Sequence, residues 1–276
     1  MAERRFRPWA RMLLGYGLAL ATLGFTARSV NSGLTQLDSV SLGTGLEAIA
    51  ACTLLMACHV LLNREGFVLL CKALDSGLPP STIRRIWGRS LLTKYVPGGV
   101  WQLVGRGLQM RELGSLNNSA VLSGIIEQCL SLALCLTIAL CAYLALSGHP
   151  VLAATLAILF AATLWLAPRL LPWARHSAAL RRATFLYAAA MPFYLAAYAC
   201  VVTQLPLLDL TAYLFTGTLA GMAAFIVPGG LGVRESIVSL LAADKNALLL
   251  AAMMLVRLLT LCVEILITLV SMASRP

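Results

Sequence analysis

The sequence predicts an all-α polytopic membrane protein, with about six transmembrane helices and two re-entrant helical hairpins arranged as an inverted repeat. Three observations predict it. Hydrophobic residues make up 60% of the 276 and charged residues 12%, with a mean hydropathy of +0.86; a soluble domain carries roughly twice that share of charge. Uncharged runs cover 12–27, 128–168, 183–208 and 210–233, and about 20 apolar residues span a bilayer core as a helix. The tetrapeptide Val-Pro-Gly-Gly occurs twice, at 96–99 and 227–230. Period-two alternation is absent, which argues against a transmembrane barrel.

Taken in order, the expected spans are 10–28, 42–62, 118–147, 150–168, 183–206 and 246–272. The first follows a basic start and resembles a signal peptide. It lacks a convincing small-x-small cleavage site before Arg28, so a retained helix is expected. Cations cluster in alternate connections: Arg4, Arg5, Arg7 and Arg11, then Arg64, Lys72, Arg84, Arg85, Arg89 and Lys94, then Arg169, Arg175, Arg181 and Arg182. The opposite connections hold only Arg28 and Lys245. The positive-inside rule then puts the N-terminus in the cytoplasm, and six spans return the C-terminus to the same side of an inner (cytoplasmic) membrane.

Regions 78–113 and 210–240 do not read as simple spans. Each centres on a Pro-Gly-Gly: Pro97, Gly98 and Gly99, then Pro228, Gly229 and Gly230, with the prolines 131 residues apart. Proline removes a backbone donor and clashes with the preceding helical turn. Paired glycines open backbone angles that other residues avoid. Broken backbone inside a membrane is tolerated where protein or a water-filled cavity surrounds it. Helix–Pro-Gly-Gly–helix is therefore expected to form a re-entrant hairpin, one entering from each side; the alternative is a full span over 210–227, which moves the C-terminus outside. The half-repeats run roughly over 30–147 and 150–272 of a single domain, 1–276. Discontinuous helices at matching places in two halves point to a transport site near the midplane.

The candidate site residues follow from this geometry. A half-helix beginning after each break presents free N–H groups and a positive dipole end. Lys94, Trp101, Gln102, Arg106 and Arg111 surround the first break, and Arg234 and Glu235 follow the second. Glu47, Glu127, Arg257 and Glu264 are ionisable residues inside spans, where charge is costly and faces a cavity or a partner. Glu127 and Arg257 hold nearly equivalent repeat positions and are expected to pair across the pseudo-axis. Glu127, Glu264 and Glu47 are the charge-balance or proton-coupling candidates. His59 reads as too close to the cytoplasmic end to relay protons deep in the membrane.

The net charge of +10 belongs beside hydrophobic spans, so lipid phosphates are the expected anions and nucleic acid is not. The eight cysteines form no C-x-x-C pair and read as small packing residues. His59, His149 and His176 are too scattered for a metal site. No P-loop, nucleophile elbow or H-E-x-x-H occurs, so neither an enzyme nor a cofactor is expected.

At Lys94-Tyr95-Val96-Pro97-Gly98-Gly99-Val100-Trp101, Gly124-Ile125-Ile126-Glu127-Gln128 and Val227-Pro228-Gly229-Gly230-Leu231-Gly232-Val233-Arg234-Glu235, the chain resembles the lysylphosphatidylglycerol synthase transmembrane family. The resemblance runs over roughly 10–272. It implies a flippase-like domain that moves lipid between leaflets. In a stand-alone member it also implies polyprenyl-phosphate sugars or phospholipids as cargo, and biosynthetic enzymes as partners. The sequence carries no aminoacyltransferase segment, so lysyl-lipid synthesis is not expected. It leaves the oligomeric state open, a homodimer among the options. Two rival expectations remain. One is a small-solute or ion secondary transporter; the other is a non-transporting subunit of a glycan- or lipid-biosynthesis complex.

Overall fold

The computed structural model describes residues 45–95, 101–115, 119–170, 177–224, 230, 232–242 and 246–273, with the side chains of 101, 167–170 and 246–248 left aside. The expected span at 10–28 lies outside them. So do the N-terminal arginines, Arg28, Arg175, Lys245, Arg275 and the side chain of Arg169. Among the described residues there is no strand. The helices are α1 (Leu46–Ala73), α2 (Pro80–Ser90), α3 (Trp101–Glu112), α4 (Ser119–Leu146), α5 (Pro150–Leu170), α6 (Ser177–Val201), α7 (Leu207–Ala223), α8 (Val233–Ala242) and α9 (Asn246–Ala273). A 3₁₀ turn over Leu91–Tyr95 continues α2 towards the first break.

Four of these helices are long and apolar enough to cross a membrane: α1, α4, α6 and the Leu249–Ala273 part of α9. A helix of 28 residues is about 42 Å long at 1.5 Å per residue, more than the ~30 Å of a bilayer core. Their outer faces are apolar and bare. Leu266 is 63% exposed, Val270 69% and, on α5, Ile158 68%. Such a surface is unfavourable in water and neutral in lipid, whose tails are as apolar as leucine. The protein is membrane-embedded.

Two expected boundaries move. The expected span 42–62 continues as helix to Ala73. Asn63-Arg64-Glu65 does not stop it, because Arg84 reaches back from α2 to hold Glu65 through Nη2 at 2.7 Å. The stop is Asp75, whose φ of 55° reverses the chain while the Ser76 N–H donates to the Cys71 carbonyl at 3.0 Å. The expected span 183–206 begins at Ser177, with Arg181 and Arg182 inside the helix, and ends at Val201. Elsewhere the boundaries fall close to expectation. Gly148, at φ 80°, closes α4, and Pro150 opens α5 at its first turn.

The element order repeats. A long helix, a short helix, a break, a short helix and a long helix make up α1 to α4, and the same series makes up α6 to α9. Adding 131 to the first residue of α1 gives that of α6, and α3 and α8 match to about a residue. The principal contacts come in mates. The short helix α2 packs on α9 as α7 packs on α4, α3 on α4 as α8 on α9, and α1 on α9 as α6 on α4. The two first helices, α1 and α6, pack along each other. They approach closely where Gly66 meets Tyr187: a Cβ there would lie 2.8 Å from the ring. Ala183, Ala190 and Ala197 on α6 are buried; small residues let membrane helices close on one another.

Candidate functional site

The two short-helix pairs and the four long helices line a half-open cavity of about 400 Å³. It lies within the range of small-ligand sites. Of the residues singled out from sequence, Lys94, Gln102, Arg106, Glu127, Gly230, Arg234, Arg257 and Glu264 all line it. They come from both halves, and the sequence distance between them is closed by α1 and α6 crossing at the centre.

Two ion pairs occupy matching places with opposite polarity. In the first half α3 supplies the cation: Arg106 Nη1 donates to Glu127 Oε2 on α4 at 2.5 Å, and Arg106 Nε to Ser90 Oγ at 2.6 Å. In the second half α8 supplies the anion, Glu235, which Arg257 on α9 holds through Nη1. The expected pairing of Glu127 with Arg257 is therefore corrected. Each residue takes its partner from the short helix of its own half, which packs directly against it.

Arg106 is 2% exposed. Its guanidinium lies 4.9 Å from the Phe67 ring and 5.2 Å from the Trp87 ring, and the Trp87 indole N–H also donates to Glu127 at 3.3 Å. Desolvating a charge is tolerable where every donor finds a partner. Arg106 is held as part of the scaffold. Glu235, expected at the ligand, is likewise committed: Oε2 accepts the Gly232 N–H at 2.8 Å, capping α8 at its positive end.

A third pair joins the halves. Lys94, at the end of the 3₁₀ turn before the first break, donates to Glu264 Oε1 on α9, and the Tyr95 hydroxyl donates to Oε2 at 3.1 Å. Glu264 is 2% exposed, so its charge depends on these two donors.

Arg234 differs. Its Nη2 donates to the Tyr198 hydroxyl at 2.7 Å, and its guanidinium lies 5.5 Å from both the Tyr194 and Tyr198 ring centroids. Its Nε is buried with no hydrogen-bond partner, and among the described residues no carboxylate pairs with it. The contrast with Arg106 follows from register. Arg106 comes nine residues after its proline and Arg234 six, about one helical turn nearer the break. Phe67 and Tyr198 are repeat mates 131 apart, and each flanks the arginine of its own half.

Several lining residues escaped the sequence reading. Tyr187, Met191, Tyr194 and Tyr198 line the cavity at spacings of four, three and four on α6, a single helical face. Hydroxyl-bearing aromatics on one stripe of an otherwise apolar span were the available signal. His59, expected to lie too near the cytoplasm, lines the cavity too. Its Nδ1–H donates to the Ala190 carbonyl at 2.9 Å, and Nε2 accepts from Asn63 at 3.0 Å. A carbonyl only accepts, so the proton is on Nδ1 and the ring is neutral in this arrangement.

Glu47 is exposed at the start of α1 and is not among the cavity's residues; Arg111 and Glu112 are exposed at the end of α3. Pro97, Gly98, Gly99, Pro228, Gly229 and the Trp101 side chain lie outside the described residues. Gly230 is described. Its φ is 65°, and a Cβ there would lie 2.6 Å from the Gly221 carbonyl oxygen on α7, so only glycine fits. Among the described residues no three His, Cys, Asp or Glu side chains gather as a metal site. No protein-family model matches the chain, and neither a curated protein nor a solved structure matches it.

Proposed function

We propose that the chain is a lipid translocator that moves a phosphate-bearing lipid, such as a phospholipid or a polyprenyl-phosphate-linked sugar, between membrane leaflets. The observation that carries this reading is that described residues beside both Pro-Gly-Gly segments (Lys94, Tyr95, Gln102, Ala224, Gly230) line one cavity with the buried ions, inside an apolar shell. In this reading six helices span the membrane, and α2–α3 and α7–α8 are re-entrant hairpins entering from opposite faces. Both termini lie in the cytoplasm of an inner membrane. The headgroup occupies the cavity while its chains stay in the bilayer. Arg234 meets the phosphate, Gln102 and Tyr198 supply further polar contacts, and Lys94 with Glu264 joins the two halves. Oppositely entering hairpins give two mirrored routes to the same site, which is the structural requirement of alternating access.

The test uses the purified chain reconstituted into vesicles with a fluorescently tagged phosphatidylglycerol in both leaflets. A membrane-impermeant reductant bleaches the outer leaflet. Protein-dependent bleaching of the inner-leaflet pool supports the reading. Bleaching that stops at the outer-leaflet share, with a tagged phosphatidylglycerol and with a tagged polyprenyl-phosphate sugar, refutes it.

A further inference from the structure

We infer that the cavity is built to receive one negative charge, so that its ligand is a phosphodiester monoanion and not a phosphomonoester or a pyrophosphate. The inference deepens the translocator reading, and it relies on that reading only for the lipid tail.

It follows from a balance of charges. Among the described residues, the cavity and its first layer hold four cations, Lys94, Arg106, Arg234 and Arg257. Three carboxylates neutralise three of them: Glu264, Glu127 and Glu235. His59 is neutral, since Nδ1 donates and Nε2 accepts. Residues 96–100 and 225–229 include no charged residue. Among the described residues one positive charge is left, on Arg234. In a site of low dielectric an uncompensated charge is costly, and one anionic charge removes that cost.

The same geometry rejects a second charge. Arg106 is closed off between Phe67 and Trp87. Recruiting Lys94 strands the buried carboxylate of Glu264, and recruiting Arg257 strands Glu235. Breaking a buried pair leaves its other member unpaired, which is strongly unfavourable. Arg234 also has the donor a single phosphate needs. Its Nε–H is buried without a partner, and its plane is steadied by Tyr194 and Tyr198. Phosphodiesters keep a single charge across the neutral range, whereas a phosphomonoester carries about two above its second pKa of ~6.

The test compares two tail-matched pairs on the full chain in nanodiscs, read by tryptophan fluorescence, since Trp87 lines the cavity. One pair is short-chain phosphatidylglycerol against short-chain phosphatidate. The other is a citronellyl-phosphate hexose against citronellyl phosphate. At about pH 8 the diester of a pair is expected to bind roughly ten-fold or more tightly than its monoester. Whichever pair binds identifies the source as a glycerophospholipid or a polyprenyl lipid. Lowering the pH to about 5.5 is expected to bring the monoester up to the diester as it loses its second charge. Arg234→Gln is expected to abolish the preference and Arg234→Lys to keep it. A monoester that binds as well as its diester at about pH 8 overturns the inference, as does a wild-type chain that binds no member of either pair. An Arg234→Gln chain with unaltered preference also overturns it. The preference without inter-leaflet transfer would refute the translocator reading alone, and transfer without the preference would refute this inference alone.

Discussion

His59 and Ala190 are joined by a hydrogen bond, Nδ1–H to the main-chain oxygen at 2.9 Å. They stand 131 residues apart, as do the two Val-Pro-Gly-Gly tetrapeptides. In a two-fold repeat, mates that touch lie beside the axis relating the halves. His59→Leu is expected to destabilise the chain by about 1–2 kcal/mol, because Asn63 also loses its acceptor. Thermal unfolding in detergent checks this; a melting temperature equal to wild type would separate the bond from the packing of α1 on α6.

Arg106 and Arg234 are expected to respond in opposite ways to the same substitution. Arg106→Gln strands Glu127 and empties the space between Phe67 and Trp87, so a loss of about 3–5 kcal/mol is expected. Arg234→Gln removes a cation with no carboxylate partner among the described residues, and stability is expected to stay within about 1 kcal/mol. Paired unfolding curves of the two variants decide it, and equal losses would contradict the division into scaffold and ligand contact.

Glu127→Gln alone leaves a fully buried guanidinium uncompensated. The double variant Arg106→Met with Glu127→Leu is expected to recover most of the stability lost, since apolar replacement of a whole buried pair is often neutral. A double-mutant cycle measures the coupling. A double variant no more stable than Glu127→Gln would mean the pair contributes beyond its own charges.

Gly230→Ala meets two obstacles, a left-handed φ and the Gly221 carbonyl. Backbone strain of this kind costs of order 1–3 kcal/mol. Transfer activity is expected to fall with stability as α7 and α8 are forced apart. Gly114→Ala, also at positive φ but with open space around it, is expected to cost strain alone and to spare transfer.

Much of this was legible in the sequence because the signals were local. Long uncharged runs gave the long helices. Buried charge in an apolar span marked Glu127, Arg257 and Glu264, all of which reached the cavity. What was not legible depended on three-dimensional register. Glu127 and Arg257 looked like partners because their repeat positions match. The one turn of register between Arg106 and Arg234 could not be weighed without the rings of Phe67 and Tyr198 beside them. The length of α1 was missed because its charged turn is neutralised by Arg84, from another helix.

In the proposed function, one cavity carries a lipid anion between leaflets through Arg234. The most direct measurement is the initial rate of tagged phosphatidylglycerol transfer in vesicles holding wild type, Arg234→Gln or Arg234→Lys, each shown to be folded, with tagged polyprenyl-phosphate sugar run in parallel. The account predicts protein-dependent transfer of at least one lipid by wild type. It predicts transfer slower by roughly ten-fold or more for Arg234→Gln, equivalent to about 1.4 kcal/mol, and partial recovery for Arg234→Lys. Equal rates for wild type and Arg234→Gln, or no transfer of either lipid above protein-free vesicles, would contradict it.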